Sequence, residues 1–229
     1  MLFRSFSLTE TGNAVINGAI SGVNVLSISG TSTIGANVTT SGTQTYTGAV
    51  TLSANDTFTT TANGSVSFGG AIDGNATGKT LTISANGTGN TTFTGAVGAT
   101  NALGNITITT NALTAAAIKL AGTLSITNAA SSSITGIISD GASAAALTAA
   151  GTATLTLSGV NTYTGATTIN SGATLALSTA GAIAASSSIA ANGTFDIQAV
   201  TTSASIKSLS GSGTAYLGIK LLKIGRAHV

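Results

Sequence analysis

Cysteine, proline and tryptophan are all missing from this 229-residue chain, and only 5% of its residues are charged. The lack of cysteine excludes a disulfide framework and a thiolate metal site. It is compatible with export without requiring it. With neither proline nor a run of charge there is no visible linker, so the chain reads as one continuous array. Typical soluble domains carry about 25% charged residues; here Thr, Ala, Ser, Gly and Asn stand in their place. Disorder does not follow, because 42% of the residues are hydrophobic and many are Ile, Val or Leu spaced at two. No stretch of about 18 apolar residues occurs, so no membrane-spanning helix is expected. The N-terminal stretch MLFRSFSLTETG holds a single Arg and no apolar run of signal-peptide length, which points to an internal fragment.

The formal charge of +2 comes from the end of the chain. Residues 219–229, IKLLKIGRAHV, hold Lys220, Lys223, Arg226 and the only histidine, His228. Without them the chain carries four basic and five acidic side chains, a net of −1. Lys223 to Val229 resembles the translation of a common sequencing-library adapter. Residues 219–229 are therefore read as a non-native read-through tail, with a short basic C-terminal helix as the alternative. Under either reading the high pI does not signal nucleic-acid affinity.

What the chain does contain is alternation. Leu155 to Leu175, LTLSGVNTYTGATTINSGATL, places apolar residues at period two between Gly and Asn turns, the pattern of short β-strands. A unit of bulky residue, small polar residue, Gly, small residue and branched residue recurs along the chain. It begins at Ile16, Tyr46, Phe68, Phe93, Ile134 and Tyr163, with steps of 30, 22, 25, 41 and 29. Four steps read as one coil of a β-solenoid and the step of 41 as two short coils. Asn63-Gly64, Asn86-Gly87 and Asn192-Gly193 supply turns. The Ala-rich segments Leu113 to Leu120 and Ala142 to Ala150 show no sustained helical stripe and read as small-residue coils or loops. In such an array each coil contacts only its neighbours. Outward Thr, Ser and Asn avoid stacking like charges, and Thr favours strands.

Leu157 to Leu177, LSGVNTYTGATTINSGATLAL, resembles the autotransporter-associated β-strand repeat, L-x-G-x-N-T-Y-T-G-x-T-x-I-x-x-G-T-L, with Ala173 placed before Thr174-Leu175. Looser likeness continues through Asn192-Gly193-Thr194-Phe195-Asp196 to about Gly218. The resemblance implies a right-handed parallel β-helix over residues 1–218, a passenger segment of a bacterial type V secretion protein. It implies display outside the outer membrane by a C-terminal β-barrel not contained in these residues. The repeat is a structural motif in that family and carries over no catalytic residue.

Little in the residues themselves points to chemistry. The acids are Glu10, Asp56, Asp73, Asp140 and Asp196, and no two are close in sequence. Asp73-Gly74 and Asp140-Gly141 read as turns. No Ser–His–acid arrangement is available without His228. Lys79 after Gly78 lacks the upstream Gly of a phosphate loop. The acids are too sparse for a series of calcium sites. Tyr46, Phe68, Phe93 and Tyr163 read as core or corner residues rather than stacking platforms. The triplets at Asn63 and Asn105 follow from composition and give no support for glycosylation. No catalytic, cofactor-binding or metal-ligating residue is expected, and no cofactor. Nucleic acid and direct membrane insertion are not expected as partners; a cell-surface ligand is left open.

Three readings follow. The first is a structural or adhesive β-helical stalk at the bacterial surface, not an enzyme. The second is a segment of a β-helical carbohydrate-active enzyme, which needs acids and a base converging on one face. The third is an ice-binding or other flat-surface binder, prompted by Thr107-Ile108-Thr109 and Thr154-Leu155-Thr156. That face needs Thr ladders in constant register. The varying repeat length predicts a broken register, and on that ground no thermal hysteresis is expected.

Overall fold

The computed structural model describes residues 6–225, so Arg226 and His228 lie outside the described residues. Among the described residues every regular element is a β-strand, and the strands pair in parallel. Three stacks form. The first has eleven strands, from Ser7–Glu10 to Thr214–Tyr216. The second runs through Ala14–Ile16, Ser32–Ile34, Val50–Leu52 and Ile72–Gly74. It continues through isolated bridges from Ile72 to Val97 and from Val97 to Ile118, and so to Ile118–Leu120 and Ile138–Asp140. The third has ten strands, from Ile20–Val23 to Leu209–Ser210. The chain visits the three sheets in turn, and each strand lies on its counterpart one coil earlier. This is a parallel β-solenoid of about 11 turns.

Alternation explains which side chains point inward. Most strands of three or five residues read buried, part-exposed, buried, as in Asp56–Thr60 and Leu81–Ala85. Ile, Leu, Val and Phe at the inward positions form one continuous core. Tyr46, Phe68 and Phe93 are successive partners in the first sheet. Tyr46 and Phe68 stack with centroids 4.9 Å apart, and Phe58 stands edge-on to both at 5.4 and 5.2 Å. Such pairs add about 0.5–1.5 kcal/mol each beyond area burial.

The repeat unit is only partly a coil unit. Tyr46, Phe68 and Phe93 mark true coils, and Phe93 reaches Ile134 through Ala115, which makes the step of 41 two coils. Two of the steps do not fit. Ile16 lies in the second sheet, paired with Ile34, so the step of 30 crosses sheets. Ile134 continues to Leu157 by way of the first sheet, and Tyr163 lies outside the strands, so the step of 29 is not a coil either. The same five-residue pattern suits two different corners, which is why sequence alone merges them.

The Ala-rich segments are largely strand, with Ala116-Ala117 and Ala142 to Ala145 outside the strands. Leu113–Ala115, Ile118–Leu120 and Ala146–Gly151 pair in register with neighbours on both sides or one. Pairing with adjacent coils overrides the helix preference of Ala.

Glycines stack where coils approach at one corner. A Cβ on Gly48 would lie 2.3 Å from the Gly30 carbonyl oxygen, and one on Gly95 would lie 2.3 Å from the Gly70 carbonyl carbon. The small-Gly-small signature thus reports close backbone contact between coils rather than an unusual dihedral.

Candidate functional site

The five acids do not meet. Glu10 Oε1 accepts the Gly12 amide at 2.8 Å. Asp196 accepts the Gln198 amide at 2.8 Å. Asp73 and Asp140 lie on the second sheet and staple corners. Asp73 Oδ1 accepts the amides of Thr100 and Asn101, at 2.9 and 3.1 Å, from the following coil. Asp140 accepts the amides of Ala145 and Thr164, at 2.7 and 3.0 Å, and the Thr164 hydroxyl at 2.6 Å. Desolvation pushes the Asp140 carboxyl up, but these donors outweigh it and hold the group below its usual value.

Asp56 is different. It points inward and is 2% exposed, in register with Leu81, and neither carboxylate oxygen has a hydrogen-bond partner of good geometry. Desolvation raises its carboxyl; the Ala54 amide and the Lys79 charge pull the other way without cancelling it. The buried Tyr46 hydroxyl is pushed up by desolvation first and by the Asp56 charge second. It donates to Gln44 Oε1 at 3.2 Å.

The second sheet holds the nearest approach to two acids and a base. Register places Asp73 on the coil of Ile72, Lys119 two coils on and Asp140 one coil beyond that. Three coil steps at about 4.8 Å put the carboxylates roughly 14 Å apart. Paired carboxylates in glycoside hydrolysis lie within about 9.5 Å. A shallow groove of about 390 Å³ opens beside Lys119, floored by Val97 and Ile118 and edged by Ser139 and Thr162, and neither acid lines it.

Much of the stretch around Tyr163 binds one coil to another. Asn161 is buried; its Oδ1 accepts the Ile138 amide at 2.9 Å from the coil before. Its Nδ2 donates to Gly159 O at 2.9 Å and to Ala182 O at 3.0 Å in the coil after. The Tyr163 ring is buried and its hydroxyl meets Thr167 Oγ1 at 2.6 Å. Thr167 continues to Ser186 at 3.0 Å. A Cβ on Gly165 would lie 2.3 Å from Ala145 O, and Gly172 turns with φ +88°. Residues 147–177 match the family model of the passenger-associated-transport-repeat. The likeness is to a passenger repeat and covers this segment. No curated protein and no solved structure matches the chain. Asn161, Thr164 and Gly165 of the N-T-Y-T-G stretch make coil-to-coil contacts and Tyr163 is buried against Thr167, whereas Thr162 is exposed at the edge of the groove beside Lys119.

Two features are invisible in the sequence pattern. One is the unpaired state of the Asp56 carboxylate: its alternation with Phe58 and Thr60 marks an inward position but not the lack of partners. The other is the outward face of the third sheet. Thr57, Thr82, Thr107, Ser125, Thr148 and Thr168 are successive partners there. Two residues along, Thr39, Thr59, Ser84, Thr109 and Thr127 form a second row. Contrary to what variable repeat length predicts, the register is continuous over these coils. Partner residues are 25 apart between Asn55 and Thr80 but 18 apart between Asn105 and Thr123, and the corners absorb the difference. Thr154-Leu155-Thr156 belongs to the first sheet instead.

Proposed function

We propose that the chain is a structural stalk of an autotransporter passenger that holds adhesive or effector regions away from the cell. The observation that carries this is the passenger repeat at 147–177 within an unbroken parallel solenoid. A stack in which each coil adds about 4.8 Å gives length in proportion to coil number. It also offers long, uncharged faces for weak multivalent contacts. The location that goes with this role is the bacterial surface or the outside medium, reached through the outer membrane by a β-barrel encoded outside these residues.

The non-enzymatic reading is supported by the wide spacing of Asp73 and Asp140 and by the engagement of both with corner amides. The boundary near residue 218 remains part of the proposal. Leu222–Ile224 pairs with Ala204–Ile206. Yet Ile219, Leu221 and Ile224 are exposed where earlier coils present Thr and Ser. Long-read sequencing of the locus tests the tail: finding those codons in genomic context overturns its non-native origin.

The stalk role is tested on the purified 229-residue chain and on its full reading frame. Circular dichroism is expected to give a β spectrum, small-angle scattering a rod, and sedimentation a monomer. Surface display of the full frame is expected to make Asp196 and its neighbours protease-accessible on intact cells. A compact scattering profile, or retention of the passenger in the cytoplasm, refutes the role.

A further inference from the structure

We propose that the outward face of the third sheet is an ice-binding surface. Its two rows are a regular array of hydroxyls in constant register. The six residues of one row run from Thr57 to Thr168 and the five of the other from Thr39 to Thr127. Along a row the spacing is the strand separation of about 4.8 Å, and between rows it is two residues of strand, about 6.7 Å. Both repeats approximate those of the oxygen lattice on the prism faces of hexagonal ice. The opposite side of each strand is locked in the core by Phe58, Ile83, Ile108 and Ile126, so the lattice is held rigid.

Three observations single out this face. First, its hydroxyls are uncommitted. Among the described residues only Ser84 of the two rows bonds to a protein group, Asn86, at 3.1 Å. Corner hydroxyls such as Thr60, Thr110 and Ser132 are instead engaged with backbone carbonyls. Second, no charged residue stands in either row. The second sheet carries Asp73 and Lys119 outward; the first is uncharged along its row from Thr9 to Thr156 and carries Asp196 near its end, but presents one continuous hydroxyl row there rather than two. A charge holds a hydration shell that does not fit an ice lattice, whereas spaced hydroxyls and Thr methyls hold waters at lattice positions. Third, the face has no aromatic side chain. A flat polysaccharide crystal would be gripped by rings, so ice is the occupant the surface fits better.

The test is thermal hysteresis, ice-crystal shaping and partition into a growing ice hemisphere, using the full chain. The expected result is faceted crystals, a measurable hysteresis gap and enrichment in ice. Thr107→Lys and Thr109→Lys, both exposed and at the centre of the lattice, are expected to abolish all three while leaving the β spectrum unchanged. Thr45→Lys, outward on the first sheet, is the control and is expected to keep them. Absence of crystal shaping and ice partition in the folded parent chain overturns the proposal. So does activity that survives both central substitutions, or is lost equally in Thr45→Lys. Retention on microcrystalline cellulose without ice shaping also overturns it, in favour of a polysaccharide surface.

Discussion

Asp56 heads an inward ladder that continues through Leu81, Ile106, Leu124 and Leu147, and an Asp56→Leu variant measures what a carboxylate costs at that position. The side chain is 2% exposed, and its oxygens lack good hydrogen-bond partners. Leaving a buried polar group unsatisfied costs about 1–3 kcal/mol. Burying a leucine in its place contributes about 1.5–3 kcal/mol. The larger side chain meets a packed core, and overpacking takes back about 1–3 kcal/mol. The net expectation is a stabilisation of about 2 kcal/mol at pH 7. For a chain of this size that corresponds to a rise in Tm of roughly 4–8 °C.

The sign of the pH dependence follows from the raised carboxyl. An acid raised on folding stabilises fully below its unfolded value, about 3.9, and that contribution is lost as pH rises through the folded value. The parent chain therefore gains on Asp56→Leu as pH falls from neutrality toward 4, and the gap between the two melting curves narrows. Asp56→Asn separates charge from volume: it is expected to flatten the pH dependence without reaching the stability of the leucine variant. Thermal unfolding followed by circular dichroism at several pH values reads all three chains. A lower Tm for Asp56→Leu at pH 7, or a gap that widens toward acid, refutes the reasoning. A gap that widens toward acid would mean that the carboxylate has a partner in solution; a lower Tm alone would mean that overpacking exceeds the gain.

Three further expectations concern the coil contacts. Gly48→Ala drives a methyl against the Gly30 carbonyl and is expected to cost about 1–3 kcal/mol. Gly18→Ala, with nothing within 4 Å, is expected to be near neutral, and urea denaturation of the pair decides. Asn161→Ala removes contacts to three coils and leaves the buried Ile138 amide unpaired. The expected loss is about 2–4 kcal/mol, with faster amide exchange at Ile138. Asp140 is depressed, so its contribution is present above the unfolded carboxylate value and disappears as pH falls through the folded value. Asp140→Asn is expected to remove that acid sensitivity, the opposite sign to Asp56, as read by the same melting series.

The architecture was legible because the period-two pattern and the Gly-bearing units report on strands and corners directly. Leu155, Leu157, Leu175 and Leu177 are all inward, as their spacing predicts. The aromatic positions Tyr46, Phe68, Phe93 and Tyr163 are core, also as expected. What was not legible depends on which coil lies on which. The pattern at Ile16 is locally the same as that at Tyr46, yet the two belong to different sheets. Ala146–Gly151 is a strand because Thr123–Asn128 and Thr167–Ile169 flank it, information absent from its own residues. Asp56 shows the same gap in reverse. Its period places it inward with Phe58 and Thr60, but nothing in the local sequence shows that its carboxylate meets no partner there.

The register of the third sheet follows from a separation of roles between strand and corner. Parallel pairing fixes each strand on the last through its own backbone hydrogen bonds, whatever the length of chain between them. A one-residue slip would turn Phe58, Ile83, Ile108 and Ile126 out to solvent and bring the Thr rows into the core. Each such aliphatic or aromatic side chain is worth about 1.5–3 kcal/mol when buried, so the slip is prohibited many times over. Extra residues must therefore leave at the corners, as they do after Val97, where Gly98 takes φ +70° and the chain rejoins at the Leu103 bridge. Irregular repeat length is thus no argument against an ordered outer face. The hydrophobic core that holds the inner rows in register sets the outer rows by the same pleat, and Thr107 and Thr109 stand in line with their neighbours because Ile106 and Ile108 do.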